Sequence, residues 1–257
     1  MTFVAAKDER ENASSQRAVE AISRIETLIK SIREGTLREV VRSCLSFRDQ
    51  TELLTVRDVK GRGCVHLIAQ RRDAAAVDIC KHLVENIKCD VEMRDADGAT
   101  ALLIAMSRAN ASVLECLLVH GKADALVTSK DERNAWHYLA EWDGGEEHAR
   151  ETVDVLMTKC GGGPERVKEL KRLLEKKASG GNVGSPFLFA IGCGSHEVAK
   201  LLSRELDEGK GETIRDETLQ SGVGAVVLAT ASGCVETLRF VVEDCKIDAN
   251  QRAEGGM

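Results

Sequence analysis

Proline and aromatic residues are scarce in this chain: there are two prolines in 257 residues, and Phe, Trp and Tyr together make up 3%. With few helix breakers, few sheet-favouring side chains and an abundance of Leu, Val, Ala, Glu, Lys and Arg, the composition argues against a β-rich fold and predicts an all-α one. No surplus of basic side chains is present either. Lys and Arg number 36 against 42 Asp and Glu, a formal charge of −6, so no general affinity for nucleic acid is expected. Nowhere do eighteen apolar residues stand together, which argues against a membrane-spanning helix, and Lys7, Asp8, Glu9, Arg10 and Glu11 sit where a signal peptide needs an apolar run. The nine cysteines include no Cys-x-x-Cys pair and are odd in number. They predict reduced, buried thiols in a cytoplasmic or nuclear, reducing compartment.

From Ala18 onward, Ala18, Ile22, Ile25, Leu28, Ile29 and Ile32 recur at steps of three and four, the stripe of a helix with one buried face. Gly35 ends it, and Leu37 to Leu45, apolar at Val40, Val41 and Cys44, predicts a second helix antiparallel to the first. Residues 1–16, ahead of the stripe, are expected to form a disordered tail. Downstream the same grammar returns: a polar turn holding Asp or Gly, a short apolar helix, a break, and a longer helix rich in Leu and Val. Ala111 to Asp124 and Cys234 to Asp244 show the longer helix most clearly. One such pair cannot bury its own apolar faces, so the pairs are expected to stack.

The stretch Asp95-Ala-Asp-Gly98-Ala-Thr100-Ala-Leu102-Leu-Ile-Ala105, followed by Ala111 to Asp124, resembles a whole repeat of the ankyrin family. Gly98, Thr100 and Leu102 match the family signature, whereas Ala101 replaces its proline and Leu103 its histidine. His66 and His137 keep that histidine in two other copies, and Ser185 to Ala190 and Gly224 to Ala229 hold the same place in two more. The signature-histidine position thus falls at His66, Leu103, His137, Leu188 and Val227, at intervals of 37, 34, 51 and 39 residues, against about 33 in the family. The resemblance implies an all-α solenoid of stacked antiparallel helix pairs with finger-like turns, a single domain over 17–250. Its repeats lie at about 18–57, 58–94, 95–128, 129–181, 182–220 and 221–250, and 251–257 starts a further finger or a tail. Thr100, Asn134 and Ser185 can cap the first helices of their copies. Gly63 and Cys64, standing for Thr and Pro, predict a looser turn before His66.

By this resemblance the chain is not an enzyme. It is expected to be a scaffold or adaptor binding another protein or a peptide through its concave face, where finger tips and exposed helix ends are free to vary. The candidate contacts are Lys60, Arg62, Asp97, Lys130 and Arg133 on the fingers, with Gln70, Arg71, Ser107, Arg108, Glu141 and Trp142 on the first helices. Trp142 either anchors a partner or lies under an inserted helix, whereas Trp136, at the signature leucine position, belongs to the core. Arg57, Lys60, Arg62, Arg71, Arg72 and Arg108 would suit an acidic peptide; Asp58, Asp73, Asp95 and Asp97 oppose them.

The longest interval holds an extra amphipathic helix over 164–177, apolar at Val167, Leu170, Leu173 and Leu174 and basic elsewhere. It either docks an acidic partner or packs on the solenoid with a solvated outer face. After Asp248-Ala-Asn250, which resembles the family's exit from a second helix, no polar closing repeat follows. That predicts further repeats, self-association or a partner at this end, the alternative being a self-sufficient end closed by the polar outer face of the last helix, Glu236, Arg239 and Glu243. The alternative reading is an ankyrin module of a longer chain that positions a separate enzyme, channel or ligase domain.

No catalytic, metal or cofactor site is expected. Cys193 and His196 are separated by the turn glycine Gly194, and the six histidines pair with no cysteine at zinc-finger spacing. Gly192-Cys-Gly194 and Gly222-Val-Gly224 lack the third glycine of a dinucleotide loop, and Gly161 to Gly163 lacks the Gly-Lys-Ser/Thr of a phosphate loop. His66 and His137 are implied, by the resemblance, to bond turn backbone and steady the fingers.

Overall fold

The computed structural model describes residues 2–179, 184–207 and 223–249, with side chains from Gln16 onward. It is all-α, and no β-strand occurs among the described residues. The chain opens with α1 (Thr2–Glu34), α2 (Leu37–Leu45) and α3 (Gln50–Leu54). Five helix pairs follow: α4 (Cys64–Ala69) with α5 (Ala75–Lys81), α6 (Ala101–Ser107) with α7 (Ala111–Val119), and α8 (Ala135–Leu139) with α9 (Glu146–Lys159). After the extra helix α10 (Gly163–Arg172) come α11 (Pro186–Cys193) with α12 (His196–Asp207), and α13 (Ala225–Ser232) with α14 (Val235–Arg239).

The first helices stack on one another, α4 on α6, α6 on α8, α8 on α11 and α11 on α13. The second helices form a parallel outer layer, α5 on α7, α7 on α9, α9 on α12 and α12 on α14. The core lies between the two layers. Val65, Ile68, Leu103, Leu117, Trp136, Leu139, Leu156, Leu188 and Leu202 are fully buried there, each apolar side chain contributing about 1.5–3 kcal/mol relative to exposure. At the near end α1 packs on α2 and α4, with Leu28 and Ile32 at 0% exposure.

Local chemistry explains where the helices start and stop. Thr36 and Glu39 form a reciprocal capping box at α2, the Thr36 amide donating to Glu39 Oε2 at 2.6 Å. Asn134 Oδ1 accepts from the Trp136 and His137 amides at 3.0 and 3.3 Å, and Ser185 Oγ from the Leu188 amide at 3.3 Å, so both cap as expected. Thr100 does not: its hydroxyl makes no cap bond and is buried without a partner. Three second helices end in one device, a lysine with positive φ: Lys88 at 62°, Lys122 at 58° and Lys246 at 54°. The next amide then donates back across the turn, Cys89 to Leu83, Ala123 to Leu117 and Ile247 to Val241.

Several expectations change. Helix α1 runs from Thr2, over the stretch expected as a disordered tail, because no Pro or Gly between Thr2 and Glu34 interrupts backbone bonding. Helix α3 was not anticipated; Asp49 caps it, its Leu53 is buried, and Phe47 and Val56 beside it are buried too. The inserted helix ends at Arg172, not at Lys177, after which Leu174 turns into the core at 1% exposure. Residues 180–183, 208–222 and 250–257, which include Gly222 and the expected further finger or tail, lie outside the described residues. All described cysteines are free thiols; Cys44, Cys64, Cys80, Cys89 and Cys116 are buried, but Cys193 is exposed. No described helix is long and apolar enough to cross a membrane.

Candidate interaction surface

Three fingers share one hydrogen-bond plan. In the first, the Asp58 amide donates to Arg62 O and Gly61 to Asp58 O. In the second, Asp95 donates to Ala99 O and Gly98 to Asp95 O; in the third, Ser129 donates to Arg133 O and Glu132 to Ser129 O. Side chains repeat the pattern: Asp58 Oδ1 accepts from the Lys60 and Arg62 amides, Asp95 Oδ1 from Asp97 and Ala99, and Ser129 Oγ from Arg133. Adjacent fingers are linked through backbone, Ala96 N to Lys60 O at 3.0 Å, Lys130 N to Asp97 O at 3.2 Å and Ser179 N to Asp131 O at 3.1 Å. The turn before His66 is therefore not looser than its neighbours, since the bonds that hold it come from Asp58 and His66 and need neither Thr nor Pro.

The buried imidazoles lock finger to finger. His66 Nδ1 accepts from the Gly63 amide at 3.1 Å, while its Nε2 faces Ala99 O, in the next finger, at 3.1 Å. His137 repeats this with the Asn134 amide at 3.3 Å and Gly184 O at 3.1 Å. In His66 Nδ1 accepts, so that ring is the neutral tautomer with its proton on Nε2, whereas His137 Nδ1 also lies 3.0 Å from Asn134 Oδ1. Burial, only partly offset by the bond to Gly184, holds the His137 pKa down to about 4, and burial lowers that of His66 as well.

The predicted contact residues divide into those the structure leaves outside and those it uses internally. Lys60, Asp97, Arg108, Lys130 and Glu141 are exposed, and Gln70, Ser107 and Trp142 are half-buried. Among the described residues neither Lys60 nor Arg108 has an ion-pair partner within 4.0 Å. Arg62 is bound twice to Asp58, through Nε at 2.9 Å and Nη2 at 2.7 Å, and Asp58 also takes Arg33 at 3.0 Å. Burial would raise the Asp58 pKa, but the bonds from Arg62 and the Arg62 and Lys60 amides outweigh it and hold the carboxyl below the usual range. Arg133 stacks over Tyr138 at 4.7 Å and bonds Glu141 at 2.6 Å.

Arg71 is a correction to the expected contact set. It is 9% exposed, and its Nη1 donates to Ile32 O and Gly35 O, each at 2.8 Å, closing the C-terminal end of α1, while Nε donates to Asp73. Its role is structural. Arg71→Ala is expected to lower stability by about 2 kcal/mol, because the buried α1 carbonyls lose a charged donor, and a urea titration reads this as a lower midpoint. The expected basic stripe is dispersed accordingly, with Arg57 donating to Leu54 O and Val56 O and Arg72 stacked on Trp142.

Trp142 lies in the turn between α8 and α9. Arg72, from two pairs earlier, stands 4.6 Å above its ring, His148 meets it edge-on, and Gly144 presses so close that a Cβ there would sit 2.1 Å from Cζ2. It is Trp136 that carries the inserted helix: its Nε1 donates to Leu170 O at 2.8 Å, and Asn134 Nδ2 to Leu173 O at 2.8 Å. The outer charges of α10 are engaged in part locally, Lys168 with Glu165 at 2.7 Å and Arg166 with Asp124 and Glu169.

Positions equivalent to Ser107–Arg108 and Glu141–Trp142 continue beyond the candidate set as Gly192–Cys193 on α11 and Ala231–Ser232 on α13, and of these Gly192, Cys193 and Ala231 are exposed. The repeat register alone would have found them. The palm thus changes along the array from long polar to small side chains. Cys193 is no activated nucleophile: burial and then Glu141 raise its pKa, the opposite of what a reactive thiolate needs. No cluster of three or more His, Cys, Asp or Glu able to hold a metal occurs among the described residues.

Stacked antiparallel helix pairs with hydrogen-bonded fingers define a repeat protein of the helical-solenoid class. Residues 65–165 match the family model for ankyrin repeats, in 3 copies, and this match supports the ankyrin-repeat family. No curated protein matches the chain. Ankyrin repeats are generally protein–protein interaction modules, and the family is typically non-enzymatic.

Proposed function

We propose that this chain is a scaffold or adaptor that binds a segment of another protein along its concave face, over the finger tips and the outer ends of the first helices. The observation that carries the reading is the row of exposed side chains Arg108, Glu141 and Cys193 at the outer ends of three successive first helices, where Met106, Leu139 and Ile191, two residues earlier in each, are fully buried. Those positions do not build the core, and among the described residues neither Lys60 nor Arg108 has an ion-pair partner.

The test compares partner capture from cell lysate by wild type, by a Lys60→Glu, Arg108→Glu, Glu141→Lys variant, and by an outer-face control, Arg150→Glu. The palm variant is expected to lose at least about tenfold in recovery of a specific partner, equivalent to roughly 1.4 kcal/mol, with its helical circular dichroism intact. The control keeps the partner. Equal capture by all three proteins would sink the concave-face reading.

A further inference from the structure

A cavity of about 210 Å³ opens where the helix-to-helix turns of the last three described pairs meet, bounded by Trp142 and Asp143, by Ser195 and Glu197, and by Glu236. We propose that it receives a cationic side chain, a guanidinium or ammonium group carried by the partner segment; this rests on the protein-binding reading above. The volume is below that of ordinary small-molecule sites, about 300–1,000 Å³, and suits one side chain better than a whole ligand.

Three features select a cation. The first is charge: three carboxylates line the cavity and no Lys or Arg does. Glu197 faces His196 Nδ1 at 3.3 Å, Glu236 accepts a long bond from the Cys234 thiol at 3.5 Å, and among the described residues Asp143 has no ion-pair partner. The nearest guanidinium to Glu236 in sequence, Arg239, is drawn to Glu243 at 3.9 Å.

The second feature is an orphan. Ser195, which lines the cavity, is 3% exposed, and among the described residues its hydroxyl has no hydrogen-bond partner. A buried hydroxyl without a partner is costly, and an N–H donor from a cation would satisfy it. The third is the Trp142 ring, which already holds the Arg72 guanidinium at 4.6 Å and so displays the attraction a cation would use from the cavity side.

None of this was visible from spacing, because the walls come from turns about 50 and 40 residues apart. It also explains why the turn glycine Gly194 matters here: at φ 74° it swings Ser195 and His196 onto the wall rather than continuing α11.

The test follows the ¹⁵N-labelled full chain by NMR at pH 7.5 during titration with the capped tripeptides Gly-Arg-Gly and Gly-Lys-Gly, against neutral Gly-citrulline-Gly and Gly-norleucine-Gly. A cationic peptide is expected to shift the Trp142 indole N–H, assigned with Trp142→Phe, and the Ser195 to Glu197 amides saturably, while the neutral isosteres leave them unmoved. A stronger response to Arg assigns a guanidinium, and a stronger response to Lys an ammonium. Glu236→Gln should weaken binding about tenfold. Ser195→Ala should weaken it while leaving the melting temperature at or above wild type. Equal shifts from the citrulline peptide, or no saturable shift from either cation, overturn the proposal. The short peptides report the cavity alone, so such a failure is separate from loss of partner capture by the palm variant.

Discussion

Trp136→Ala is expected to cost about 3–5 kcal/mol of unfolding free energy and to release the inserted helix. The indole is at 0% exposure in α8, and its Nε1 donates to the backbone of α10 at Leu170. Truncation therefore opens a cavity in the α8–α9 pair and removes the bond that seats α10, whose other anchors are Leu170, Leu174 and the Asn134 to Leu173 bond. Trp136→Phe separates the two effects. It keeps most of the volume, and Leu170 O still accepts from the Leu173 amide at 3.1 Å, so the loss should be about 1 kcal/mol. Urea titration measures the cost, and limited trypsin digestion reads the release, with cleavage at Lys168 and Arg172 rising in the alanine variant. Undiminished protection of α10 there would show that Trp136 does not hold it.

Acid should weaken the array through its signature histidines. The ordinary histidine pKa of 6.5 falls to about 4 for His137 in the fold. Between those values the unfolded chain binds the proton and the folded chain does not, so stability present at neutral pH declines as pH falls from about 6.5 and levels off below about 4. The decline from this one ring is about 3 kcal/mol, and His66 adds to it in the same direction. The physical event is the charging of a buried imidazole, which burial disfavours. Unfolding free energies at pH 7.0 and 4.5 for wild type and His137→Gln isolate the effect. The variant starts less stable and has the shallower pH dependence; equal slopes would remove His137 from the account.

How far the residues could be read in advance depended on the range of the interaction. Asn134 and Ser185 cap because the amides they serve are two or three residues away, and local chemistry can be read locally. Thr100 shows the limit: the same residue class at the equivalent place leaves its hydroxyl orphaned, since a cap needs a rotamer that the surrounding packing also allows. Arg71 was placed on the binding face by its repeat position, but its carbonyl partners lie 36 and 39 residues earlier, at and just beyond the C-terminal end of α1. Trp142 was to be either an anchor or covered by the inserted helix; Arg72, Gly144 and His148 pack on it, while α10 bonds Trp136 instead.

The amino-acid sequence by itself determined the stacked helix pairs of an all-α solenoid, and through its likeness to ankyrin repeats implied the finger-steadying histidines, because apolar stripes at helical spacing and a recurring Gly, Thr and His pattern are encoded within single repeats. Only the tertiary structure decided which charges remain outside. Whether Arg71 or Arg108 meets a helix end or water depends on which elements stack beside it. The cavity between Trp142, Ser195 and Glu236 exists for the same reason, since no one repeat contains more than a single wall of it.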